Sequence, residues 1–175
     1  MSRGLRLIPI ILFLFVLSGL AWRLVKPADT AIPSQMIQRP VPQFALPPAL
    51  PGKPGLATTD LATGRPRLIN IFASWCLPCA SEGKVLQELN HRGVSIDGIA
   101  VRDTPDAIAA FLARNGDPYE RIGADRQSEL QIALGSSGVP ETFLVDGRGV
   151  LRRQYIGPLT EANIPGVLQE LEQAR

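Results

Sequence analysis

The apolar pattern changes character several times along the chain, and each change predicts a different element. Leu7 to Trp22 is an uncharged, largely apolar run, preceded by Arg3 and Arg6 and closed by Arg23. Its sixteen residues fall short of the roughly 20 that a spanning helix needs, but flanking arginines can snorkel and stretch the span. Gly19-Leu20-Ala21 offers small residues to a signal peptidase, yet Trp22 is an awkward residue just past such a cut, and no early cysteine invites lipid attachment. Residues 1–25 therefore read as an uncleaved signal anchor, with 7–22 in the membrane. Pro27, Pro33, Pro40, Pro42, Pro47, Pro48, Pro51 and Pro54 come next, half of the chain's sixteen prolines. So many prolines exclude a helix and predict an extended tether over 26–41. Phe44 and Leu46 would lie on a folded domain that begins near residue 42.

From there the rhythm is that of alternating strands and helices. Arg67 to Ala73 reads as a buried strand and Ala80 to His91, free of proline, as a helix. Val94 to Val101 alternates like a strand; Thr104 to Asn115 is a helix capped by Thr104 with Pro105 in its first position. Tyr119 to Ile122 predicts a short strand, and Ser128 to Leu134 a short helix ended by Gly135. Thr142 to Val145, the turn Asp146-Gly147-Arg148-Gly149, and Val150 to Tyr155 predict a β-hairpin. Thr160 to Gln173 is a final helix despite Pro165 in its first turns. The succession is α/β: a central mixed sheet flanked by helices, with right-handed crossovers between parallel strands. Residues 42–175 suffice for one domain with a real core and are too few for two.

Charge narrows the function by exclusion. The chain has 18 basic and 16 acidic residues, but Arg3, Arg6, Arg23 and Lys26 belong to the apolar leader, leaving 14 against 16 in residues 27–175. This near-neutral remainder has no basic stripe and no phosphate-cradling glycine loop, so nucleic acids and nucleotides are poor partners. Neither an internal repeat nor a low-complexity tract beyond the prolines is visible.

The chemistry concentrates at Trp75-Cys76-Leu77-Pro78-Cys79, which holds the only two cysteines. A closed zinc site needs four ligands, and these two with the single histidine, His91, cannot supply them. A purely structural disulfide across so short a loop would constrain little chain entropy. Redox chemistry is the better reading. Cys76 would lie just ahead of a helix, or on its first turn, where unpaired N–H groups and the dipole's positive end favour a thiolate. That makes Cys76 the attacking sulfur and Cys79 the one that resolves the mixed disulfide. His91 falls near the far end of that helix, away from Cys76, so no cysteine–histidine nucleophile pair is expected.

From about residue 42 to 175 the chain resembles the thioredoxin superfamily, on Trp75-Cys76-x-x-Cys79 and on Val139-Pro140 before the strand 142–145. The resemblance implies a cis Pro140 facing the disulfide, with the backbone of Val139 pairing with a substrate chain. The match narrows on Gly138-Val139-Pro140-Glu141-Thr142-Phe143-Leu144-Val145-Asp146-Gly147-Arg148-Gly149, on Glu82 three residues after Cys79, and on Asn115-Gly116-Asp117-Pro118-Tyr119. In these segments the chain resembles the CcmG/DsbE family, the membrane-anchored periplasmic thioredoxins of cytochrome c maturation. That resemblance implies a protein disulfide reductase in a single pass of the bacterial inner membrane, with its soluble domain in the periplasm. Its substrate would be apocytochrome c or a maturation-complex thiol protein, freeing cysteines for heme attachment. Its electrons would come from a transmembrane donor of the DsbD or CcdA type. No cofactor is implied beyond the redox-active Cys76–Cys79 disulfide, and no metal.

Typical thioredoxins carry a buried aspartate six positions before the first cysteine, where this chain has Asn70, which cannot take a proton. Glu82 is then either the base for Cys79, with a raised pKa if partly buried, or a solvated carboxylate on the first helix. Glu141 would tune Cys76, contact the partner, or simply begin a strand at the surface. Trp75 would pack beside the site and shield the thiolate or touch substrate, and Pro78 would stiffen the turn. Asp103, following the strand 94–101, could line the groove but reads rather as a helix-leading carboxylate. Three other readings compete. A DsbA-type oxidase would carry a histidine within its CxxC and a helical insertion, both missing here. A ResA- or TlpA-type reductase with another client, or a non-catalytic thioredoxin-fold binding module, would share these motifs. A copper-holding domain would want a further histidine downstream.

Overall fold

The computed structural model describes residues 8–25 and 33–175, which fall into two units, 1–31 and 32–175. The first holds helix α1 (Ile8–Val25), whose apolar side chains from Ile8 to Trp22 are exposed. Among the described residues no helix is long and apolar enough to cross a membrane. Residues 1–7 of the expected anchor and 26–32 of the expected tether lie outside the described residues.

The second unit begins with a small antiparallel pair, β1 (Ala45–Leu46) and β2 (Leu56–Ala57). There follow β3 (Arg67–Phe72), α2 (Leu77–His91), β4 (Ile96–Val101), α3 (Pro105–Asn115) and β5 (Arg121–Asp125). The remainder is α4 (Glu129–Ala133), β6 (Glu141–Val145), β7 (Leu151–Ile156) and α5 (Ile164–Gln173), the last led in by a 3-10 turn at Glu161–Asn163. The main sheet has the order β5-β4-β3-β6-β7. β3, β4 and β5 run parallel, while β6 is antiparallel to β3 and β7 to β6. This is the thioredoxin-like arrangement, a mixed sheet flanked by helices. β3 is its middle strand, and all six of its residues are buried, the apolar Leu68, Ile69, Ile71 and Phe72 together with the polar Arg67 and Asn70.

Three expectations shift. β4 is not half-exposed: every residue is buried, because it lies between two parallel neighbours. Its polar Asp97 is accommodated by an ion pair with the buried Arg67, and Gly98 makes room for the rings of Phe72 and Tyr119, which stack at 4.8 Å. β5 starts two residues later than predicted, since Tyr119 serves the core rather than the ladder. The packed unit also begins upstream of residue 42. Ser34 is buried and its hydroxyl donates to the Leu134 carbonyl, and the N–H groups of Gln38 and Val41 donate to Leu151 and Gly149 at 2.7 and 2.9 Å. An edge strand with free donors and acceptors, β7, captured these residues despite their prolines.

Gly116 ends α3 with φ at 91° and its N–H bonded to the Leu112 carbonyl at 2.8 Å. A Cβ there would stand 2.1 Å from the Gln87 amide nitrogen, which itself ties α2 to the Asn115 carbonyl. Gly116→Ala is therefore expected to lower stability by about 2 kcal/mol, through both the left-handed backbone and the displaced glutamine. Urea unfolding checks this, and an unchanged midpoint would show that the helix end has another way to relax.

Candidate active site

β3 delivers the chain to a short loop, Ala73-Ser74-Trp75, and then to Cys76, the N-cap of α2. Cys76 and Cys79 are joined in a disulfide, with their Cα atoms 5.3 Å apart. The Cys76 sulfur accepts the Cys79 N–H at 3.2 Å, a cap role usually filled by serine or aspartate oxygen. Pro78 fits the first turn because an N–H there would have no partner within the helix. The helix starts at Leu77, ahead of the proline-free stretch from Ala80, so Cys76 lies just before it as expected and takes the place where a thiolate is favoured once the disulfide is reduced. Both sulfurs are nearly covered, whereas their neighbours Trp75 and Leu77 are 60% and 83% exposed.

Trp75 is therefore no core aromatic. Its indole N–H reaches the Arg102 carbonyl at 3.3 Å, and the ring walls a groove of about 440 Å³ with Arg102, Gln131, Ile132, Gly138 and Val139. The Val139-Pro140 peptide is cis. Val139 thus shares a groove with the residue that precedes Cys76.

Beneath the cysteines lies a closed polar network. Glu82, one turn beyond Cys79 on α2, is 1% exposed. Its Oε1 accepts from the Asn70 amide at 2.9 Å and its Oε2 from the Leu159 N–H at 3.0 Å. Asn70 also donates to the Thr142 hydroxyl at 3.0 Å and accepts from the Tyr119 hydroxyl at 2.7 Å. Burial pushes the Glu82 carboxyl up to about 7, the two hydrogen bonds offsetting only part of the desolvation. The alternative of a solvated carboxylate is overturned. Burial also pushes the Tyr119 phenol well above its ordinary range, so it stays a neutral donor to Asn70. Tyr119 and Thr142 escaped the sequence reading; the place of Asn70 on the middle strand, opposite Thr142, was the available signal.

Glu141 is a correction. Its side chain is 1% exposed: Oε1 accepts the N–H and hydroxyl of Ser137 at 2.9 and 2.6 Å, and Oε2 accepts the Gln154 amide at 2.9 Å. A carboxylate so enclosed cannot touch a partner, nor is it a surface residue; it pins the loop ahead of Pro140 to β7. His91 sits at the far end of α2, about 20 Å of helix from Cys76. Among the described residues no three histidine, cysteine, aspartate or glutamate side chains converge as metal ligands would.

The Redoxin family matches residues 37–171. The chain is 40% identical over 162 residues to the thiol:disulfide interchange protein DsbE of Pseudomonas fluorescens biotype C, covering 92% of this chain and 89% of that one. It is 35% identical over 161 residues to the thiol:disulfide interchange protein HelX of Rhodobacter capsulatus, with 92% and 91% covered. Among solved structures, a DsbF homologue from Corynebacterium diphtheriae superposes with a TM-score of 0.65 at 21% identity, over 83% of this chain and 96% of that one, a likeness of fold alone.

Proposed function

The chain belongs to the Redoxin family, among the thiol:disulfide interchange proteins called DsbE and HelX, and from that premise we propose that it reduces disulfides of apocytochrome c, or of a maturation thiol protein. It is a thiol-disulfide oxidoreductase whose redox group is its own Cys76–Cys79 pair. In the proposed cycle the Cys76 thiolate attacks the client disulfide, forming a mixed disulfide and releasing one client thiol. Cys79 passes its proton to Glu82 and attacks the Cys76 sulfur, releasing the second client thiol and restoring the internal disulfide. A transmembrane donor of DsbD or CcdA type returns the two electrons. The apolar run at residues 7–22 tethers the protein to the bacterial inner membrane, arginines snorkelling at its ends, and the folded unit works in the periplasm.

One observation carries the choice of a polypeptide client. Among the described residues of the folded unit, the exposed large apolar side chains are Trp75, Leu77, Ile132 and Ile156. Trp75 and Leu77 flank Cys76, Ile132 lines the groove with Trp75 and Val139, and Ile156 faces Glu141 across the ladder, next to Pro140. An apolar rim confined to the redox end suits an unfolded chain better than a small polar disulfide.

The test is the equilibrium reduction potential of Cys76/Cys79 in dithiothreitol or glutathione buffers, followed by Trp75 fluorescence. A value at or below roughly −200 mV is expected for a donor to client disulfides. A value near about −120 mV would make the protein an oxidant and sink the reading.

A further inference from the structure

The corner that follows β4 holds the redox loop from outside. Asp103 accepts the Ser74 N–H on one carboxylate oxygen at 2.6 Å and the Ser74 hydroxyl on the other at 2.8 Å. The second oxygen also accepts the Thr104 N–H at 2.8 Å, while the cap of α3 is Thr104, whose hydroxyl accepts from Ala107. Asp103 is thus spent on the loop rather than on capping its helix. Beside it, Arg102 has φ at 50°, a left-handed backbone that a non-glycine residue keeps only where its surroundings enforce it. Those surroundings are two bonds to the next strand and loop: the Arg102 N–H to the Asp125 carbonyl at 3.3 Å, and its Nε to the Ser128 hydroxyl at 3.0 Å. The carbonyl of this same residue takes the Trp75 indole N–H.

We propose that Asp103 is a positioning residue for thiol exchange: by engaging both donors of Ser74 it fixes the two residues ahead of Cys76 and so seats the attacking sulfur at the N-terminus of α2. Asp103 acts through Ser74 and not on sulfur directly. Among the described residues, the other backbone tie of the loop it steadies is the Cys76 N–H to the Ala73 carbonyl at 3.2 Å. With the clamp removed, the Cys76 sulfur departs from the Cys79 N–H and the helix end that favour its anion.

The clamp and a simple charge effect predict opposite signs. A nearby carboxylate by itself disfavours a thiolate, so its loss would make Cys76 more acidic. In Asp103→Asn the amide oxygen keeps one Ser74 donor and loses the other; Ser74→Ala removes the hydroxyl bond but leaves the charge. The pH profile of Cys76 alkylation by iodoacetamide is measured on the reduced full chain, with Cys79→Ser to isolate the one thiol. Both variants are expected to move the midpoint of the alkylation profile up by about one pH unit, a roughly tenfold smaller ionisation constant for the thiol. The double variant should be no worse than the more severe single, since the two side chains act as one contact. A lowered pKa in Asp103→Asn would leave only the charge effect. A lowered melting temperature with an unchanged alkylation profile would reduce Asp103 to a structural contact. Either result overturns the proposal.

Discussion

Cys76→Ser is expected to abolish turnover of client disulfides, with a loss of at least about a thousandfold, because an alcohol neither ionises near neutral pH nor forms a disulfide. The substitution is a clean one structurally. Cys76 is the N-cap of α2, and serine is among the best N-cap residues, so its hydroxyl can accept the Cys79 N–H that the sulfur accepts now. The variant should therefore match the reduced wild type in melting temperature while losing exchange. Cys79→Ser should behave differently: Cys76 still attacks, but the client stays bound as a mixed disulfide visible on non-reducing gels. Turnover and cytochrome c assembly in a host lacking its own reductase are the measurements. Assembly sustained by Cys76→Ser would favour the binding module over the reductase.

Glu82→Gln should change both stability and exchange, with a pH signature that a surface carboxylate would not give. The folded-state pKa is about 7, against the ordinary value of 4.5. Between those values the folded protein holds a proton that the unfolded chain has released. Stability from this site is complete below about pH 4.5 and is lost as pH rises through 7, about 3 kcal/mol in all. Glutamine cannot ionise, so urea unfolding of the oxidised proteins should show wild type losing about that much relative to Glu82→Gln between pH 4.5 and pH 8. In exchange, the decay of the mixed disulfide should rise with pH through about 7 in wild type and lose that step in the variant, slowing by roughly 10- to 100-fold. A stability difference that stays flat with pH would mean Glu82 is not held protonated. An unchanged decay profile would remove it from the proposed cycle, leaving Cys79 to another base.

The two carboxylates singled out by resemblance make a useful contrast. Glu82 and Glu141 are equally buried, yet one faces an amide and a single backbone N–H, the other three donors from Ser137 and Gln154. Sequence spacing could place Glu82 on the same helical face as Cys79, because the partners belong to one helix. It could not distinguish a proton carrier from a loop pin at Glu141, whose fate depends on a loop and a neighbouring strand. The contact of Asp103 with Ser74 is beyond local rules for the same reason: the two are 29 residues apart in the chain.

Local rules settled much on their own. The largely apolar stretch of β3, the Thr104 cap with Pro105, the Asp146–Gly149 turn and the cysteine pair at the start of a helix each depend on neighbours within a few residues, and each is legible in the sequence. So is the redox chemistry, since two cysteines at that spacing, with a single histidine far along the helix, leave little else. Tertiary structure decided what depends on residues brought from afar. It buried Asp97 by pairing it with Arg67, drew residues 33–41 onto the edge strand, moved Tyr119 out of the ladder into the core, and enclosed Glu82 in a network spanning Asn70, Tyr119, Thr142 and Leu159. Burial and hydrogen-bond partnership are properties of the packed chain, and they govern the proton affinity of an acid. The cysteine pair is legible in the sequence; the burial and hydrogen bonding that raise the proton affinity of Glu82 come only from the fold.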